Sequence, residues 1–167
     1  VQTDTGAGWV PAADQPTLVV FGEFFQAPTD GDLVVSDTYD LNADKQPERT
    51  HADGIAWSVA SVGTDAITAH DPIAGIAPGD KVLLVFMQAH GDTRDVGNFD
   101  VLTVSGLAGQ MLMPVETLDP LRYDDGTDRK ILVQRIPGYR DVTVVAGGAL
   151  TAGGWSGLAA PDEAGGH

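Results

Sequence analysis

A chain of 167 residues, 43% of them hydrophobic and with no apolar run near the ~18 residues of a membrane span, is sized for one globular domain. Its formal net charge of -15, from 24 acidic against 9 basic residues, argues against nucleic acid and against an anionic membrane surface, because both are bound through clustered Lys and Arg. With no cysteine, neither a disulfide framework nor a thiolate metal site can form.

Residues 1–16 hold Gly6, Gly8, Pro11 and Pro16 with little periodicity, and read as an extended N-terminal arm. Thr17 to Phe21 is a β-branched run, and Pro28, Asp30 and Gly31 make a turn into a strand over Asp32 to Val35. Thr38 to His51 is polar and contains Pro47; it reads as a loop or irregular edge with room for one short helix. Ile55 to Val62 alternates as a half-buried strand, and Ala66 to Ala69 reads as another short one.

Pro78-Gly79-Asp80 then launches Lys81 to Met87, a nearly continuous apolar run suited to a strand covered on both sides. Asn98 to Val104 alternates, with Phe99, Val101 and Thr103 on one face. A turn over Gly106 to Gly109 leads to strands at Met111 to Val115, Lys130 to Ile136, Asp141 to Val145 and Ala149 to Thr151. Seven glycines crowd the last 21 residues, a composition that builds no core of its own.

No window repeats apolar residues at helical spacing over two turns. The expectation is therefore an all-β fold, a β-sandwich or small antiparallel barrel. It has an arm over 1–16, a β domain over 17–152, and a Gly-rich C-terminal end over 153–167 that is a tail or the start of a solenoid. The first residue, Val1, follows no basic or apolar leader, as in a mature product or processed fragment whose targeting peptide is gone.

Of the acidic residues, 20 are Asp and 4 are Glu. Asp serves turns and caps through its short carboxylate, while helix-forming Glu and Lys are scarce. Dense carboxylate also fits a salty or calcium-bearing exterior, although solubility alone accounts for it. Asp40, Asn42 and Asp44 have the D-x-N-x-D spacing of a calcium loop, in which alternate side chains turn toward one cation. Lys45 and His51 stand where a full loop has Gly and Glu, so an Asx-rich turn competes with the metal reading. Asp124, Asp125 and Asp128 around Gly126 form a second acidic loop, read as a solvated connection.

Catalytic signals are thin. His70-Asp71 and His90-Gly91-Asp92 offer a base beside a carboxylate, but no Ser sits in a G-x-S-x-G elbow. Trp9, Trp57 and Trp155 could stack on a sugar, although core packing is the natural reading of Trp57 in an alternating strand. Arg122, Arg135 and Arg140 read as forked structural partners for nearby Asp carboxylates.

Several segments together carry a resemblance. They are Gly31-Asp32-Leu33-Val34-Val35, Gly79-Asp80-Lys-Val-Leu-Leu-Val-Phe-Met-Gln88, Val96-Gly97-Asn98-Phe99-Asp-Val-Leu-Thr-Val104, and Val133-Gln134-Arg135-Ile136-Pro137-Gly138-Tyr139-Arg-Asp-Val-Thr-Val144, followed by Leu150-Thr151-Ala152 and Trp155-Ser-Gly157. Over roughly residues 29–160 the chain resembles a β-rich module of large glycine-rich bacterial surface proteins of the gliding-motility and adhesin type. In such proteins a Gly-Gly-rich β-solenoid typically follows the Trp-x-Gly element. The acidic residues and the Asp124–Asp128 insertion depart from the usual pattern. The resemblance implies extracellular, cell-surface, non-enzymatic service, and brings no catalytic residues with it.

The expected function is a secreted structural or adhesive β module, self-assembling or joined to a longer surface protein in an extracellular fibre or filament. The arm would add a strand to a neighbour's open sheet edge. A virion fibre or spike component is a variant of that reading. A carbohydrate-binding module, with a glycan as partner, is the alternative from another class. Calcium is the one candidate cofactor; no nucleic acid, membrane insertion or enzymatic activity is expected.

Overall fold

A computed structural model describes residues 29–90, 94–124 and 127–153, together with two short strands, β1 (Thr3–Asp4) and β2 (Trp9–Val10), which pair antiparallel. The rest of the expected arm, the expected strand Thr17 to Phe21 and the Gly-rich end beyond residue 153 lie outside the described residues.

The described chain is all-β. Ten further strands follow: β3 (Asp32–Val35), β4 (Thr38–Asp40), β5 (Ala56–Val62), β6 (Ile67–Ala69), β7 (Lys81–His90), β8 (Phe99–Ala108), β9 (Met111–Pro114), β10 (Thr127–Ile136), β11 (Asp141–Val144) and β12 (Ala149–Thr151). The helical structure among the described residues is one 3-10 turn, Pro120–Tyr123, started by Asp119, whose carboxylate accepts the Leu121 N–H at 3.1 Å. The short helix allowed for between Thr38 and His51 is replaced by β4 and a series of turns. No helix among the described residues is long and apolar enough to cross a membrane.

Six strands close into an antiparallel barrel in the order β10-β5-β6-β9-β8-β7, with β7 pairing back onto β10. The alternative of a two-sheet sandwich is thereby settled in favour of the barrel. β7, β8 and β10 each run ten residues, and β10 closes the barrel by pairing with β5 on one edge and with β7 on the other. Gly106, expected in a turn, lies inside β8 at a register shift against β9, and the reversal is confined to Gly109, at φ +61°, and Gln110.

Alternation fills the interior. Val82, Leu84 and Phe86 of β7 are buried, and the intervening Lys81, Leu83, Val85 and Met87 are half-buried. The run expected to be covered on both sides is thus fully covered on one. On β8 the face that holds Phe99, Val101 and Thr103 is the outward one: Leu102 and Val104 enter the core, while Phe99 remains 53% exposed. Trp57, Val59, Ile67, Leu112, Ile131 and Val133 complete the lining. Tyr123 packs near the Phe86 ring, with centroids 6.5 Å apart, and its hydroxyl donates to Asp100 at 2.7 Å.

Outside the barrel lies a two-stranded parallel ribbon. β3 pairs with β11, and β4 with β12. Asp141 faces Asp32, an offset of 109, whereas Ala149 faces Thr38, an offset of 111, so the later strand carries two extra residues at a bulge. Backbone bonds run along the whole ribbon, from Arg140 N to Gly31 O (2.7 Å), through Val145 N to Val35 O and Ala149 N to Asp37 O (both 3.0 Å), to Leu41 N to Thr151 O (2.9 Å). Gly147 takes φ +93° in the bulge. A Cβ on Gly148 would stand 2.3 Å from the Val35 carbonyl oxygen, so only glycine lets the strands approach there.

Candidate functional site

The ribbon meets the barrel at a buried charge cluster. Arg135 lies on β10 two residues beyond Val133, hence on the same inward face. An unpaired charge in such a place would be prohibitively costly, so the fold must bring carboxylates to it. Its Nη2 donates to both oxygens of Asp30 at 2.7 Å, its Nε reaches Asp80 at 3.4 Å, and its Nη1 donates to the Asp53 carbonyl at 3.0 Å. Burial alone would pull the Arg135 guanidinium down, but Asp30 and Asp80 outweigh it and hold the group above its ordinary range.

Arg49 adds a second cation, 3.6 Å from Asp30 and 3.7 Å from Asp80, and donates to the Gly75 carbonyl. Arg49 and Arg135 thus balance Asp30 and Asp80. Both carboxylates are also tied to turns: Asp30 accepts the Gly138 N–H at 2.7 Å, and Asp80 accepts the Ala77 N–H at 2.9 Å.

Beside this cluster the fully buried Asp53 carboxylate accepts the hydroxyls of Tyr39 (2.7 Å) and Tyr139 (2.6 Å) on one oxygen and the Gln46 N–H (3.1 Å) on the other. Tyr39 belongs to β4, and Tyr139 stands two residues before the start of β11. Both strands of the ribbon are therefore pinned to one carboxylate. Burial, and then the hydrogen bond and charge of Asp53, push both tyrosines far above their ordinary value of 10. They remain neutral donors, unsuited to act as bases or nucleophiles near neutral pH. Among the described residues no buried side-chain polar atom lacks a hydrogen-bond partner.

An open cleft of about 260 Å³ lies over the cluster, lined by Thr29, Asp30, Gly31, Gln46, Glu48 and Arg49. Small-molecule sites are typically ~300–1,000 Å³, mostly apolar and enclosing. This one is smaller and open, and its lining includes the Asp30–Arg49 ion pair already committed to the cluster. The geometry is that of an anchor.

Asp40, Asn42 and Asp44 do come together, in the turn after β4, where backbone groups engage each side chain. Asp40 accepts the Asn42 N–H at 2.9 Å, and Asp44 accepts the Asp40 N–H at 2.8 Å. The Asn42 amide donates to the Gly54 carbonyl and accepts the Gly153 N–H, both at 2.8 Å. Among the described residues no three His, Cys, Asp or Glu side chains are grouped as a metal would need.

Trp57 is 8% exposed in the barrel core, and Trp155 lies outside the described residues, so neither supplies an observed sugar platform. The three singled-out arginines all find carboxylates: Arg135 as above, Arg122 on Asp100 at 2.7 Å and Arg140 on Asp32 at 2.8 Å. Sequence reasoning missed Asp30 and Asp80 as the destination of Arg135, and Asp53 as that of Tyr39 and Tyr139. The available signal was Arg135 itself, a cation in phase with Ile131 and Val133, which demands buried carboxylate without saying which.

No family model, curated protein or solved structure matches the chain.

Proposed function

We propose that the protein is a structural or adhesive β module working outside the cell, which self-assembles or joins a longer surface protein in a fibre or filament. The observation that carries this reading is the ribbon. Parallel sheets are almost always covered on both faces, because the crossovers that join their strands lay helices over them. Here every residue of β11 and β12 is exposed, and Val34, Val142, Val144, Val145 and Leu150 are apolar residues left on the surface. The closed barrel has no free strand edge, so assembly by strand addition or stacking would use the ribbon.

The dense negative charge fits a screened extracellular setting. The charge cluster and tyrosine pair hold the ribbon to a rigid barrel, as a link in a fibre requires.

Sedimentation velocity over a concentration series tests this. Self-association that is lost in a V142K/V144K variant with an unchanged melting temperature supports the reading. A monomer at every concentration, alone and mixed with surface extracts, overturns it.

A further inference from the structure

The ribbon's connectivity has a mechanical consequence. Force entering the described domain from the N-terminal side arrives at the start of β3, and force leaving on the C-terminal side departs from the end of β12. Because the strands are parallel, these points lie at opposite ends of one ribbon. Tension between them slides one strand along the other. The inter-strand bonds run across that direction of pull, so they share the load instead of opening one at a time.

We propose that the ribbon is a shear clamp through which the module bears tension applied between its two ends. Its biological use rests on the reading of the protein as an extracellular link; its mechanics do not. The entry point is reinforced, since Asp30, two residues before β3, is held by Arg135 and by the Gly138 N–H. The exit is fastened by Leu41 N to Thr151 O and by Gly153 N to the Asn42 side chain. Between them Tyr39 and Tyr139 tie both strands to Asp53, so sliding must break bonds in the ribbon and at its anchor together.

The full chain contains no cysteine, so single-molecule handles can be attached at chosen pairs of introduced thiols. Handles at Thr29 and Ala152, both exposed, load the ribbon in shear. Handles at Asp37 and Ala146, exposed beside the bulge, peel the same strands apart. Forced unfolding reads the barrier in each direction. The shear pair should unfold at a force at least about twofold higher than the peel pair, since shared loading replaces sequential rupture of bonds. Asp30→Asn should lower the shear force and leave the peel force unchanged.

Equal forces in the two directions, or a stronger peel direction, would overturn the clamp. If Asp30→Asn does not fold, the comparison of directions on the otherwise unaltered chain still decides. A molecule that resists shear yet stays monomeric would keep the clamp and remove the self-assembly reading.

Discussion

Arg135 Nη2 stands 2.7 Å from both carboxylate oxygens of Asp30, a residue 105 positions earlier in the chain. The Arg135 side chain is fully buried and Asp30 is 1% exposed, so neither group has water to fall back on. Removing one charge from such a pair typically costs about 3–5 kcal/mol, because the other is left buried and uncompensated. Asp30→Asn should show that loss in urea unfolding. Replacing Asp30 and Arg135 together by apolar residues of similar volume should recover much of it. A change below about 1 kcal/mol for Asp30→Asn, the range of an ordinary surface substitution, would mean the pair does not anchor the ribbon.

The sequence has three tyrosines, and each hydroxyl ends on an Asp carboxylate: Tyr39 and Tyr139 on Asp53, Tyr123 on Asp100. Burial first, and then the neighbouring carboxylate, raise all three above the ordinary value of 10. A raised value in the folded state means the contribution to stability is complete below that ordinary value and is lost as pH climbs beyond it. The slope is about 1.4 kcal/mol per pH unit for each tyrosine that ionises only on unfolding. Tyrosinate absorbance should therefore appear together with loss of the fold. Tyrosinate forming near pH ~10 in an intact protein, as for a free phenol, would contradict these bonds.

Gly148→Ala isolates the ribbon. The new methyl would collide with the Val35 carbonyl oxygen and carbon, which are backbone and cannot rotate away. Overpacking of this kind costs roughly 1–3 kcal/mol. Amide exchange should quicken over residues 33–41 and 141–151 and stay slow in β7 and β10. Uniform acceleration through the barrel would show that ribbon and barrel unfold as one unit.

Opposite faces of β8 should respond differently. Leu102 is 2% exposed and Phe99 is 53% exposed. Leu102→Ala should cost about 2–5 kcal/mol, as buried leucines do. Phe99→Ser should be close to neutral in thermal melts. The reverse ranking would mean that the strand is turned over.

The Asp40, Asn42 and Asp44 side chains are committed to backbone partners, so a bound cation would have to displace those bonds. Melting temperatures with calcium and with chelator should coincide. A calcium-dependent rise abolished by Asp44→Asn would establish a metal site there.

Period-two alternation was enough to locate β5 and β10, because burying one face of a pleated strand imposes that pattern, and a nearly continuous apolar run was enough to locate β7. Composition was enough to place Asp in turns, since the short carboxylate bonds nearby backbone, as Asp40, Asp44 and Asp119 do. Other features lay beyond it. Phe99, Val101 and Thr103 alternate as cleanly as Leu102 and Val104, and only the pairing of β8 with β7 and β9 decides which set faces inward. Arg135 announces a buried carboxylate, yet with 20 Asp in the chain, choosing Asp30 and Asp80 depends on contacts 105 and 55 residues distant. The parallel ribbon is equally a product of long-range closure: its paired strands lie more than a hundred residues apart, and pairing them carries the entropic cost of closing the chain between them.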